Sequence, residues 1–67
     1  MNIAENIKKK REEYDLEQQE LARRIGVSKS FICAIEQGVR LPSLGTVVAL
    51  ADTFHCSIDE LIGRKVG

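Results

Sequence analysis

The sequence predicts an all-α fold of five short helices around one small core. Three observations carry this. Apolar residues recur every three or four positions in each segment, and no stretch alternates apolar and polar residues as a half-buried strand does. Ser28, Ser43 and Ser57 stand where helices begin, and Gly26, Gly38 and Gly63 where they end. Sixty-seven residues suit a single domain over 1–67 with one core, and leave little material for a cleft that encloses a substrate.

In chain order, the first helix is expected from Asn2 to about Tyr14. Ile3 and Ile7 lie one turn apart, and Tyr14 falls two turns further along the same face. The run Lys8-Lys9-Lys10-Arg11-Glu12-Glu13 reads mostly as a solvated face. Arg11 is the exception, because it falls on the inward stripe one turn after Ile7 and needs a partner there. Asp15 and Leu16 form the first connection. Asp15 either ends the first helix in a left-handed conformation or caps the second through Asp15-x-x-Gln18, and the sequence is consistent with both.

Leu21, Ala22 and Ile25 mark the second helix, which Gly26 closes. The third runs from about Ser28 to Glu36, with Ile32 and Ile35 turned inward. The bend between them is too short for antiparallel packing, so the two helices must cross steeply, with Val27 in the angle. Residues about 18–37 thus form a helix-turn-helix. Val39-Arg40-Leu41-Pro42 is a loop that proline keeps out of helix. Ser43 caps the fourth helix, whose stripe is Val47, Leu50, Ala51 and Phe54; Gly45 in its first turn weakens it by roughly 1 kcal/mol relative to alanine. Ser57-Ile58-Asp59-Glu60 is a capping box for a short fifth helix with Leu61 and Ile62. The tail, about 64–67, is expected to be mobile.

Ten basic and ten acidic residues cancel, so the overall charge announces no partner, but its distribution is uneven. From Leu21 to Ala51 the charges are Arg23, Arg24, Lys29 and Arg40 against Glu36 alone, whereas Glu12, Glu13, Asp15, Glu17 and Glu20 cluster earlier. A local basic face on a neutral protein is the expectation. Neither a signal peptide nor an apolar run of the roughly 20 residues needed to span a membrane is visible, which points to a cytoplasmic protein. Cys33, His55 and Cys56 fall short of the ligand number and spacing of a structural zinc site. The two cysteines read as reduced apolar fillers, ahead of a redox role for Cys33 on the third helix. His55 has no nucleophile to activate, so the sequence reads as a non-enzyme with no metal, cofactor or small-molecule ligand.

A second helix standing proud at a steep crossing suits the DNA major groove, about 12 Å wide. Gln18-x-x-Leu21-Ala22, Gly26-Val27-Ser28, Ile32, Ile35-Glu36-x-Gly38, Pro42-Ser43 and Asp59-Glu60-Leu61 together resemble the phage-repressor and Cro-like helix-turn-helix family, called XRE. The likeness spans nearly the whole chain. It implies a five-helix DNA-binding domain that dimerises on a palindromic operator. It also implies that Gln18 braces a phosphate and the third helix, and that Lys29, Ser30 and Ala34 face base edges. Ser28 and Gln37 would lie near phosphates, and Arg40 in a loop that follows the backbone. Phe31 and Cys33 complete the DNA-facing set, although core packing is an equal alternative for Phe31. Glu36 would pair with Arg11.

Four positions depart from the family pattern. Lys10 replaces a common leucine, Asp15 a frequent glycine, Glu17 a frequent serine or threonine cap, and Ala34 a long polar reader. Alanine offers only a methyl, so binding would lean on phosphate contacts and DNA shape. Ile58, Leu61 and Ile62 exceed what a small core requires and are the expected homodimer seam, together with the end of the fourth helix. A homodimeric operator-binding repressor is therefore the leading reading. A protein-interaction module on the same scaffold, such as an antitoxin or anti-repressor partner, is the other.

Overall fold

The computed structural model of the chain describes residues 2–63, within which there are five helices and no strand. They are α1 (Ile3–Glu13), α2 (Gln18–Ile25), α3 (Lys29–Glu36), α4 (Leu44–Thr53) and α5 (Ile58–Ile62). The expected mobile tail lies outside the described residues. α1 packs against α3 and α5, α2 against α3 and α4, and α4 against α5.

Four of the five helix starts are fixed by a side-chain oxygen that takes a free first-turn amide. Asn2 accepts from Glu5 N (3.1 Å), Ser28 from Phe31 N (3.1 Å), Ser43 from Thr46 N (3.3 Å) and Ser57 from Glu60 N (3.0 Å). Glu17 precedes α2 and caps nothing. The box at α5 is used by halves: the Glu60 carboxylate reaches Lys10 Nζ at 2.6 Å, drawing α5 onto α1. Lys10 also answers the question posed by the missing leucine. Its side chain is 25% exposed and its ammonium pairs at the surface, and the hydrogen bond it donates to Glu60 raises its pKa.

The first four helices end alike. In each, a residue beyond the end turns left-handed, its N–H and the next one folding back onto the last-turn carbonyls. Leu16 N reaches Arg11 O at 3.0 Å, Val27 N reaches Ala22 O at 2.9 Å, Val39 N reaches Ala34 O at 3.0 Å and Cys56 N reaches Ala51 O at 3.0 Å. The left-handed residues are Asp15 (φ 55°), Gly26 (φ 76°), Gly38 (φ 79°) and His55 (φ 51°). Asp15 therefore ends α1 and does not cap α2. His55 was not legible as such a position, because histidine gives no turn signal.

The core is Ile7, Leu21, Ala22, Ile32, Ile35, Val47, Leu50, Ala51, Phe54 and Leu61, with Ile3, Leu16, Ile25, Val27, Phe31 and Cys56 packed around it. Tyr14 differs from its expected inward place. It is 41% exposed, its ring tilted against Phe54 at 5.5 Å and its hydroxyl donating to the Phe54 carbonyl at 2.7 Å. That bond joins the ends of α1 and α4. Asn6 Nδ2 donates to the Leu61 carbonyl at 2.9 Å, a second tie between α1 and α5.

Left-handed backbone costs a side chain with a Cβ energy that glycine avoids. Asp15→Gly and His55→Gly should each stabilise the fold by about 0.5–1 kcal/mol, read as a higher midpoint in thermal denaturation. A fall in both midpoints would show that the two side chains make compensating local bonds.

Candidate nucleic-acid interface

The site begins with a buried charge. The Glu36 side chain, at the end of α3, is only 3% exposed, and that of Arg11 is 13% exposed. Burying a carboxylate is tolerable only if donors surround it. Arg11 Nε donates to Glu36 Oε2 at 2.7 Å and Nη2 to Oε1 at 3.1 Å. Gln18 Nε2, from the first residue of α2, donates to Oε1 at 3.0 Å. The third guanidinium nitrogen of Arg11 donates to the Leu16 carbonyl at 2.6 Å. One carboxylate thus gathers α1, α2 and α3 at a single point, and its hydrogen bond pushes the Arg11 pKa further up. Gln18 gives one amide hydrogen to Glu36. Leu16 was invisible as a participant, since a carbonyl acceptor leaves no mark in a sequence.

With α3 held there, its outward face is open. Lys29, Ser30, Cys33, Ala34 and Gln37 line a shallow concavity of about 300 Å³ on that face. The structure brings these five residues together. Lys29, Ser30 and Gln37 are exposed, and Cys33 and Ala34 half-buried. Ser28 sits at the helix start, its oxygen accepting the cap bond and its hydroxyl proton free to donate elsewhere. Phe31 is on neither extreme: half-buried, it packs on the core edge, and the Arg40 guanidinium lies over its ring at 5.1 Å. That cation–π contact anchors the loop arginine beside α3. Nothing in the sequence flagged it, because the two residues are separated by a helix end and a turn.

Burial of Glu36 also settles the local charge. From Leu21 to Ala51 the exposed charges are Arg23, Arg24, Lys29 and Arg40, all positive, since the one acid in that span is enclosed under Arg11. Arg23 is partly answered by Glu20 of the preceding turn at 3.4 Å.

The expected seam on α5 is only partly at the surface. Leu61 is fully buried in the core and is unavailable to a partner; Ile58 is 37% exposed and Ile62 is half-buried. The reason is physical: α5 is short, and its central leucine is the residue that closes the core beneath α1 and α4. Cys33 and Cys56 are both free and half-buried, and burial raises the Cys56 pKa. Among the described residues no cluster of three or more His, Cys, Asp or Glu side chains is placed to hold a metal ion, and no helix is long and apolar enough to cross a membrane.

Removing one partner of a buried pair strands the other. Arg11→Met should cost about 3 kcal/mol in chemical denaturation. Arg11→Met combined with Glu36→Met should recover most of that loss. If the double variant is no better than the single one, Glu36 is not the group that Arg11 serves.

Comparison with known proteins places this geometry. A helix-turn-helix family pattern matches residues 7–61. The cryptic phage CTXphi transcriptional repressor RstR of Vibrio cholerae is 36% identical over 64 residues, covering 96% of this chain and 57% of RstR. The regulator AnsR of Bacillus subtilis is 44% identical over 41 residues, covering 61% of this chain and 35% of AnsR. The chain thus spans about a third to somewhat over half of the length of these relatives. The P22 c2 repressor, in a crystal structure with a synthetic operator, superposes with a TM-score of 0.85 at 28% identity, over 91% of this chain and 92% of that one. The chain belongs to the XRE-type helix-turn-helix family, alongside proteins named as transcriptional repressors and regulators.

Proposed function

We propose that this chain is a sequence-specific double-stranded DNA-binding regulator, a cytoplasmic repressor that occupies a palindromic operator as a homodimer. The observation that carries the reading is the exposed face of α3, in a stretch from Leu21 to Ala51 whose exposed charges are all basic because Glu36 is enclosed. The likeness to a repressor solved with its operator supports it.

In this reading α3 enters the major groove, with its concave face toward the base edges. Lys29 and Ser30 supply the polar reach near its start. Ala34 and Cys33 offer small apolar surface suited to a thymine methyl. Ser28, Gln37 and Arg40 lie toward the phosphates, with Phe31 holding Arg40 in place more than touching a base. Gln18 contributes by holding α3 through Glu36. Phosphate contacts supply salt-dependent affinity, and base contacts fix register. Repression then follows from occupancy: two α3 helices sit about 34 Å apart along one face of the duplex and block whatever else would bind there.

Selection from a random duplex pool at two salt concentrations tests this. An inverted repeat should emerge, with affinity falling as salt rises. Arg40→Ala should weaken binding to all sequences alike and lower the salt slope by about one. Ala34→Gln should change the selected base and leave the slope unaltered. No enriched sequence at either salt would contradict the reading.

A further inference from the structure

The concavity on α3 has a floor and a rim that differ in chemistry. Cys33 and Ala34 are adjacent in the middle of the helix, small and half-buried. Lys29 and Ser30 stand one turn before them and Gln37 one turn after, all three exposed. The polar groups thus surround a floor made of one methyl and one free thiol. The space above that floor, about 300 Å³, is open because neither residue carries a long side chain.

Such a floor has little to offer a polar group. A methyl neither donates nor accepts a hydrogen bond, and a thiol does both only weakly. It favours an apolar group that would otherwise remain in water. The base edges of the major groove present one such group, the methyl on pyrimidine C5, and the rest of their code is donors and acceptors. Thymine carries that methyl, and so does cytosine once methylated at C5. The two bases differ at C4, where thymine has an accepting oxygen and cytosine a donating amine. Neither Cys33 nor Ala34 has a strong hydrogen-bonding group with which to tell them apart.

We propose that the Cys33–Ala34 floor is a subsite for a C5-methyl pyrimidine, so that methylation of a cytosine placed there strengthens binding. This rests on the DNA-binding reading above and names the group that one part of the site takes. The roles along α3 then separate. Lys29, Ser30 and Gln37 meet donors, acceptors and phosphates around the concavity, whereas the floor responds to one methyl, whichever base carries it. Occupancy of a site with cytosine at that position follows the methylation state of the duplex.

Anisotropy titration of the full chain with its selected half-site tests this, one base being changed at a time. Uracil for each thymine, and 5-methylcytosine for each cytosine, removes or adds one methyl and nothing else. One position should stand out, and all four pairs are compared there. Thymine should bind about fourfold tighter than uracil, and 5-methylcytosine about fourfold tighter than cytosine, as burial of one methyl requires. The salt slope should be the same with and without the methyl, since no charge changes. Ala34→Gln, which fills the concavity, should abolish both ratios at that position, and Cys33→Ser should reduce both.

Equal affinity for thymine and uracil at every position would overturn the proposal. So would a methyl effect that survives both variants, or one seen with thymine and absent with cytosine. Failure of the reading beneath it looks different. A wild type that binds no duplex removes the operator and the subsite together, whereas sequence-specific binding indifferent to every methyl removes the subsite alone.

Discussion

A carboxylate inside a small protein is a constraint on everything near it. Glu36 is almost fully enclosed, so its charge must be met by donors held in place, and the chain supplies them from two other helices. Arg11 comes from α1 and Gln18 from α2. The guanidinium is itself fixed by the Leu16 carbonyl. Uncharged groups of similar volume fill such places at equal or better stability in other proteins. What the ionic cluster adds here is direction: α3 is held at its C-terminal end against two partners, and its opposite face is left outward. The same burial removes the one negative charge from a surface otherwise basic between Leu21 and Ala51.

The remainder of the fold serves that arrangement cheaply in residues. Four helix ends reuse one closing geometry, so α1 to α4 are joined by short connections that leave little slack. α5 is held beneath α1 by Leu61, by the Asn6 side chain and by the Lys10–Glu60 pair. Its role in the described structure is to complete the core.

Much of this was legible in the sequence. Helical spacing located Ile32, Ile35, Leu50 and Phe54 in the core because burial of an apolar face leaves a periodic trace. Caps at Ser28, Ser43 and Ser57 were visible because few residue types accept from a first-turn amide. Less was visible where the partner is a backbone atom or a residue distant in sequence. The Leu16 carbonyl, the Tyr14 hydroxyl on Phe54 and Arg40 over Phe31 belong to that class. Periodicity also overreached. It marked Leu61 as surplus to the core, whereas Leu61 is fully buried in it, and it placed Tyr14 inward where the residue is 41% exposed. At Asp15 two local rules competed, and the left-handed ending won.

The central claim is that the outward face of α3, bounded by Ser28 and Arg40, is the DNA surface. Titrating isotopically labelled protein with a duplex carrying one selected half-site, and following backbone amide shifts, tests it most directly. The account predicts the largest shifts from Ser28 to Ala34 and at Gln37 and Arg40, with little change at Lys8, Lys9 and Glu12 on the far side of α1. Shifts concentrated on that lysine-rich face of α1, with α3 undisturbed, would contradict it.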